Sequence, residues 1–165
     1  MRKGQMVLML FALGQLAFAQ DFALGTPALG AGAEVNMNAH NNFAGGAALG
    51  LDFALPYAFA AGLGATASFK TGITAVEAAA MLRRYFGSKG FFAQADAGAL
   101  FYLEAAYREE RLRTLFSGGL RAGFRVPLGA MFYIEPYARG GYPFIFSTGV
   151  IGGMRFIHKG ETINR

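Results

Sequence analysis

The stretch that decides the fold is Tyr57-Ala-Phe-Ala-Ala-Gly-Leu-Gly-Ala-Thr-Ala-Ser-Phe69. It contains no charged residue, yet its side chains alternate in size and polarity. Odd positions carry the larger apolar groups, such as Phe59 and Leu63, while even positions carry only Ala, Gly, Thr and Ser. A repeat of two residues is that of a β-strand, and each interior glycine would cost a helix about 1 kcal/mol. The stretch therefore predicts a strand with one apolar face.

The same alternation recurs along the chain and divides it into strand-length segments. In residues 112–126 the even positions are mostly apolar, while the odd positions include three arginines. Alternating segments of about ten residues, in an even number, are typical of transmembrane β-strands. Eight such segments are predicted, at about 28–38, 43–54, 57–69, 73–86, 91–104, 111–126, 130–139 and 144–157.

Closure of these strands into a ring follows from the chemistry of the backbone. An open sheet in lipid would leave a row of unpaired N–H and C=O groups at several kcal/mol each, whereas a barrel pairs them all. We therefore predict an all-β protein, a transmembrane antiparallel up-and-down β-barrel of about eight strands.

The connections between the segments differ in character. Short turns of the kind that Gly and Pro supply are predicted at Pro56, 87–90 and 127–129, with the opposite connections at 40–42, 70–72, 107–110 and 140–141. Aromatic residues flank the three short turns and predict an interfacial girdle at that end of the barrel. These residues are Phe53, Tyr57, Phe59, Tyr85, Phe86, Phe91, Phe92, Phe124, Phe132 and Tyr133.

Composition agrees with a lipid-facing exterior. The chain has 165 residues, of which 54% are hydrophobic and only 15% charged, against about 25% charged in a typical soluble domain. That content excludes disorder and is too low to cover a water-facing exterior. A soluble β-barrel or sandwich and a polytopic helical protein remain as alternatives. The absence of cysteine excludes disulfides and thiolate zinc sites.

The amino terminus reads as a secretory signal peptide over residues 1–19, followed by a barrel domain over residues 20–165. Arg2 and Lys3 precede an apolar run, and Ala17-Phe-Ala19 has the small-x-small pattern of a cleavage site. A membrane-anchoring first helix is the alternative. Cleavage would leave 13 basic and 10 acidic side chains, a net charge of +3 instead of +5. No basic cluster then remains to predict a nucleic-acid partner.

Strand phase places charged residues of both signs on the face opposite to the apolar one. Because charges shut away from water are costly unless paired, we predict an ion-pair network that plugs the lumen. The alternative is a conduction path in which an Arg exchanges partners. Glycines on the same face either leave water-filled pockets or let the strands coil tightly, the second being favoured. The predicted network comprises Glu34, Asp52, Glu77, Arg83, Asp96, Glu104, Arg121, Arg125, Glu135, Arg139 and Arg155.

Catalytic and metal chemistry find little support in the residues. Hydrolysis by a nucleophile needs a His base with an acid to orient it, and the two histidines are His40, in a loop, and His158, beyond the last strand. Two histidines at opposite ends of a barrel offer no spacing for a metal. We therefore expect no enzymatic activity, no catalytic or cofactor-binding residues, no cofactor and no metal.

The whole pattern resembles a known family. A signal peptide, alternating strands and a last strand rich in Gly and aromatics, Phe144 to Phe156, are similar to the small eight-stranded outer-membrane proteins related to the OmpA transmembrane domain, OmpX and OmpW. Members normally end on an aromatic residue, whereas here Phe156 is followed by residues 157–165.

The resemblance implies a location in the outer membrane of a diderm bacterium. It also implies contact with outer-membrane lipids, insertion by the assembly machinery with periplasmic chaperones, and a monomer. We expect a structural or envelope role with a largely plugged lumen. The alternative is a narrow porin-like channel for small solutes or small hydrophobic molecules, and less favoured readings are a surface adhesin or a lipid A-modifying enzyme.

Overall fold

The computed structural model describes residues 26–38, 42–71, 73–87, 90–106 and 109–156, with the backbone alone at 73, 103–106 and 109–111. The predicted signal peptide, His40 and His158 lie outside the described residues. The described strands are β1 (Pro27–Asn38), β2 (Phe43–Leu55), β3 (Phe59–Lys70), β4 (Ile73–Phe86), β5 (Phe91–Ala106), β6 (Glu109–Phe124), β7 (Val126–Leu128), β8 (Phe132–Tyr142) and β9 (Phe144–Arg155).

The strands close into a barrel. Consecutive strands pair antiparallel except β6 and β7, which both pair with β8, and β1 also pairs with β9. β6 and β7 are two parts of one wall segment interrupted at Arg125, so the barrel has eight strands around its circumference. The predicted all-β eight-stranded barrel is confirmed. Among the described residues no helix is both long and apolar enough to cross a membrane.

The seam between the first and last strands is long and continuous. β1 and β9 pair from Ala28 with Arg155 to Met37 with Phe146, and the register shifts between Met37 and Asn38. Beyond the seam, the backbone N–H of Phe156 donates to the carbonyl oxygen of Pro27 at 3.0 Å. The two ends of the barrel-forming chain therefore meet at one end of the barrel, which we call the terminus end.

The faces of the strands alternate as the sequence predicts. β8 shows this most simply: Tyr133, Glu135, Tyr137 and Arg139 are buried, while the residues between them are exposed. The longer strands repeat this pattern, so the outer wall is apolar and the inward face is mixed and polar; the three residues of β7 are all exposed. Leu63, near the middle of β3, is 64% exposed.

Two of the short turns at the terminus end differ in detail from the prediction. The strand predicted from Tyr57 begins at Phe59, because Pro56 to Ala58 form a turn in which the Phe59 N–H donates to the Pro56 carbonyl oxygen at 3.3 Å. Tyr57 and Ala58 both adopt a positive φ there. Pro127, predicted in a turn, lies in β7 opposite Tyr133, and the turn follows at 129–131.

At the opposite end the strands run further than predicted. Gly140 and Gly141 were predicted as a loop but belong to β8, and the turn to β9 consists of Pro143 alone. A Cβ at Gly141 would collide with the Gly118 carbonyl oxygen, so this glycine permits close strand approach rather than a turn. Residues 70, 109 and 110 are also in strands.

The aromatic girdle at the terminus end is narrower than predicted. Tyr85, Phe92 and Tyr133 are buried, because adjacent residues of a strand point to opposite faces and their neighbours Phe86, Phe91 and Phe132 face outward. Three of the predicted girdle residues therefore line the lumen instead.

Candidate functional site: the charged lumen

One group of lumen residues centres on Glu135 of β8. Its carboxylate accepts two hydrogen bonds from Arg83, at 2.7 and 2.8 Å, and one from Arg125 at 2.8 Å. Arg125 also donates to Asp52 at 2.6 Å, and Arg83 Nη1 lies 3.7 Å from Asp52 Oδ2. We call these four residues the Glu135 cluster. It joins β2, β4, β8 and the break between β6 and β7 with two charges of each sign.

A second group surrounds Arg139, which lies four residues after Glu135 on β8 and further from the terminus end. Its guanidinium donates to both carboxylate oxygens of Glu77, at 2.8 and 2.6 Å. Asp96 Oδ2 lies 3.4 Å from Arg139 Nε and 4.0 Å from Arg121 Nε. We call these residues the Arg139 cluster. Gln94 joins the two clusters, since its amide donates to Asp96 while its carbonyl oxygen accepts from Arg83 at 2.8 and 2.6 Å.

Glu34 is held by neutral donors. The Tyr137 hydroxyl donates to it at 2.6 Å, and the Asn36 amide donates at 2.7 Å to Glu34 and at 2.8 Å to Ser68. Buried polar groups are stable when hydrogen-bonded, and this arrangement extends the filled region toward the end of the barrel away from the termini.

The two remaining predicted residues are placed less completely. Arg155 lies at the terminus end of β9, half-buried, and lines a small cavity with Asp52 and Arg125. The side chain of Glu104 lies outside the described residues, although its backbone pairs with Ile73 and Arg111.

Aromatic rings cover three of the lumen arginines. The guanidinium carbon of Arg83 lies 4.0 Å from the ring centre of Phe92, that of Arg125 lies 4.2 Å from Tyr133, and that of Arg121 lies 4.2 Å from Tyr137. Cation–π contacts of this kind gain strength when the cation is desolvated. None of these rings was predicted in the lumen, although Tyr133 and Tyr137 share the odd-numbered face of β8 with Glu135 and Arg139.

Glycines opposite the rings provide the room. A Cβ at Gly153 would collide with the ring of Tyr133, one at Gly149 would come within 2.7 Å of the Tyr137 hydroxyl, and one at Gly123 within 2.8 Å of Phe92. The space beside these inward glycines is therefore occupied by aromatic side chains rather than by water.

Two small cavities lie among the charged residues of the lumen. The one lined by both clusters measures about 30 Å³, and the one beside Arg155 about 10 Å³. A single water needs at least 10–15 Å³ measured in this way, so the central cavity has room for about two waters. The described residues contain no group of three or more His, Cys, Asp or Glu placed to hold a metal ion.

Comparisons with known proteins concern the fold. No protein-family model matches the chain, and no curated protein matches it. Among solved structures, the N-terminal β-barrel domain of Pseudomonas aeruginosa OprF aligns with a TM-score of 0.61 at 13% identity, over 81% of this chain and 98% of that one.

Two further solved structures agree. Ail, the attachment invasion locus protein of Yersinia pestis, aligns with a TM-score of 0.56 at 12% identity, over 81% of this chain and 99% of that one. Neisserial surface protein A aligns with a TM-score of 0.57 at 10% identity, over 79% of this chain and 94% of that one. The chain thus has the fold of the small eight-stranded outer-membrane β-barrels, and the predicted resemblance is confirmed at the level of the fold.

Replacing Glu135 with Gln should destabilise the barrel strongly. The substitution leaves Arg83 and Arg125 buried with only Asp52 as a counter-charge, and breaking a buried ion pair costs about 3–5 kcal/mol. We expect the free energy of unfolding in detergent micelles, measured by urea titration, to fall by about 3 kcal/mol. Arg113→Gln, at an exposed position, should change it by less than about 0.5 kcal/mol. Similar small changes in both variants would contradict the assigned pairing.

Gly153→Ala and Gly152→Ala test the fit of ring against glycine. The first places a methyl group against the Tyr133 ring and the Leu29 carbonyl oxygen, whereas nothing lies within 4 Å of a Cβ at Gly152. Overpacking should lower the free energy of unfolding of Gly153→Ala by about 1–3 kcal/mol. Gly152→Ala should be neutral or slightly stabilising. Equal urea midpoints for the two variants would show that the lumen is looser than described.

Proposed function

We propose that this chain is an integral outer-membrane β-barrel protein with a structural, envelope-supporting role, whose lumen is closed by its own side chains. The observation that carries the proposal is the filled lumen: paired charges, covering rings and a central cavity of only about 30 Å³. A barrel that carried bulk solute would need a continuous wide path, and eight strands leave an interior that side chains can fill.

The outer wall supports the membrane location. Soluble monomers rarely expose apolar patches larger than a few hundred Å², yet here apolar side chains are exposed all round the barrel. Outward aromatics form two bands. The band at the terminus end comprises Phe53, Tyr57, Phe91, Phe124, Phe132 and Phe156, and the opposite band comprises Phe43, Phe69, Phe101, Phe116, Tyr142 and Phe146. Two such girdles, one at each interface, are typical of outer-membrane barrels.

The terminus end, where the two ends of the barrel-forming chain meet, is placed at the periplasmic side of the membrane. The partners are outer-membrane lipids, with the assembly machinery and periplasmic chaperones during insertion, and the barrel acts as a monomer without nucleic acid or cofactor. The proposed role is not enzymatic; among the described side chains, the buried carboxylates contact arginines, side-chain amides and the Tyr137 hydroxyl.

A narrow channel is the second candidate, and one observation favours it. Asp96 Oδ2 makes no hydrogen bond in the described structure and lies between Arg139 and Arg121. An arginine that changed its partner here would open a path beside the central cavity. The exchange would have to displace the bidentate contact of Arg139 with Glu77, which favours the closed state.

Leu63→Arg distinguishes a lipid-facing wall from a water-facing one. Leu63 is 64% exposed. If it faced water, an arginine there would hardly change the free energy of folding, but at mid-membrane it should cost about 2–4 kcal/mol. Tyr57→Arg, in the turn at the terminus end, should cost about 1 kcal/mol or less. We expect this difference in the free energy of folding into phospholipid vesicles. Equal small costs, or a wild-type protein that stays in the aqueous phase without detergent, would overturn the membrane location.

Single-channel recording in planar bilayers tests the closed lumen. Wild-type protein should show no discrete conductance steps, because the clusters leave no continuous aqueous path. Steps that disappear in Arg121→Ala would instead support the channel and overturn the closed lumen. Insertion is verified in the same preparation by the shift in gel mobility between heated and unheated samples.

A further inference from the structure

Arg84 is an exception to the charge pattern of the barrel. Among the charged residues whose side chains are described, it is the only one at an outward-facing strand position. Its neighbours Arg83 and Tyr85 point into the lumen and are buried, which fixes the phase of β4 and places Arg84 on the outer wall. The adjacent pair of arginines in the sequence thus divides between the two faces of one strand.

Arg84 is held by rings and has no acidic partner among the described side chains. Its guanidinium carbon lies 5.4 Å from the ring centre of Phe59 and 5.3 Å from that of Phe86. The described ion pairs all lie within the lumen. Ring contacts fix the direction of the side chain but leave the guanidinium charge uncompensated and its N–H donors available.

The depth of Arg84 suits an interfacial cation. It lies two residues before the end of β4 at Phe86, within the band of aromatics at the terminus end. An Arg on the lipid face costs about 2–4 kcal/mol at mid-membrane but only about 0–1 kcal/mol near the interface. From this depth its side chain can reach the phosphate level of the adjacent leaflet while its stem stays against apolar surface.

A hollow in the outer wall begins beside Arg84. It measures about 620 Å³ and is otherwise apolar on its outward side, with Leu82, Ala95, Leu120 and Phe146 along it. Register explains the shape: Arg84 pairs with Ala93, Ala93 with Ala122, and Ala122 with Ala138. Three alanines in succession across neighbouring strands leave the shallow hollow, which starts at the Arg84 guanidinium.

We propose that this wall binds one anionic phospholipid, with its phosphate at Arg84 and an acyl chain in the hollow. A diester phosphate offers the guanidinium a planar pair of oxygen acceptors, and a lipid of single negative charge balances the uncompensated cation. The small side chains of the hollow leave room for a hydrocarbon chain that would otherwise pack on an even wall. The proposal rests on the membrane location proposed above and adds a defined lipid site to it.

The barrel also supplies a matched control. A second hollow on the outer wall, of about 460 Å³, is lined by Leu29, Leu63, Ala65, Ala78 and Ala80 among others, and none of its lining residues is charged. It presents a similar apolar depression without a cation. A site defined by Arg84 should therefore retain lipid where the second hollow does not.

Native mass spectrometry of the detergent-solubilised barrel, titrated with phosphatidylglycerol, measures retention of lipid. Wild-type protein should keep one phosphatidylglycerol and prefer it over phosphatidylcholine. Arg84→Gln should lower the bound fraction about fivefold, and Ala122→Phe, which fills the hollow, should lower it similarly with Arg84 intact. Arg113→Gln and Ala65→Phe, which change an exposed arginine and the second hollow, should retain lipid as the wild type does.

Each other outcome overturns the site in a distinguishable way. Equal retention by wild type and Arg84→Gln excludes Arg84 as the headgroup contact. Displacement of the lipid by millimolar inorganic phosphate, together with full retention by Ala122→Phe, would show an anion site without an acyl-chain groove. A folded, heat-modifiable barrel with no lipid preference overturns the lipid site alone, whereas a wild-type chain that forms no barrel in detergent overturns the proposed function as well.

Discussion

The sharing of one buried carboxylate between two arginines is the contact on which the rest of the lumen depends. Glu135 is 1% exposed and Arg83 is 2% exposed, so neither charge has water to stabilise it. Removal of two ions from water costs several kcal/mol for each, and only short, well-aligned hydrogen bonds offset that cost. The contacts of Glu135 with Arg83 and Arg125 meet this condition, and Asp52 supplies the second negative charge.

This requirement explains the shape of the surrounding wall. The rings of Phe92 and Tyr133 exclude water from the arginines, and they fit because glycines on neighbouring strands leave no Cβ in the way. Large inward rings and small inward glycines thus form one packing solution, while the outward face of the same strands carries the apolar groups. A strand can serve both purposes because its side chains alternate.

The period of two made most of the barrel predictable from the sequence, and it also shows where prediction stopped. Strand positions and the inward direction of Glu135 and Arg139 follow from local alternation. The ion-pair partner of each charge does not follow from it, because Arg83 and Glu135 are brought together only when the sheet closes into a barrel. Closure sets the barrel radius and the strand register together. Gly141 was misplaced because a glycine needed for close strand approach looks the same in sequence as one needed for a turn.

The girdle was predicted from residue type instead of strand phase. Tyr133 was assigned to it because it follows Phe132, although their alternation puts one ring on each face. The same reason explains why Tyr85 and Phe92 are buried. Arg84 had no predicted place, although the inward position of Arg83 already implies that it faces outward.

Because β1 pairs with β9, the barrel can close only after the last strand has been synthesised and has reached the membrane. Asp52, Arg83 and Glu135 come from three widely separated strands, and the lumen that covers them is sealed only when the last strand has paired with the first. A polypeptide interrupted before β9 would present both an open backbone edge and uncovered charges to the bilayer. Such a fragment has no stable partly closed state in lipid, because unpaired backbone groups there are costly. The barrel therefore forms only from a chain that contains all of its strands.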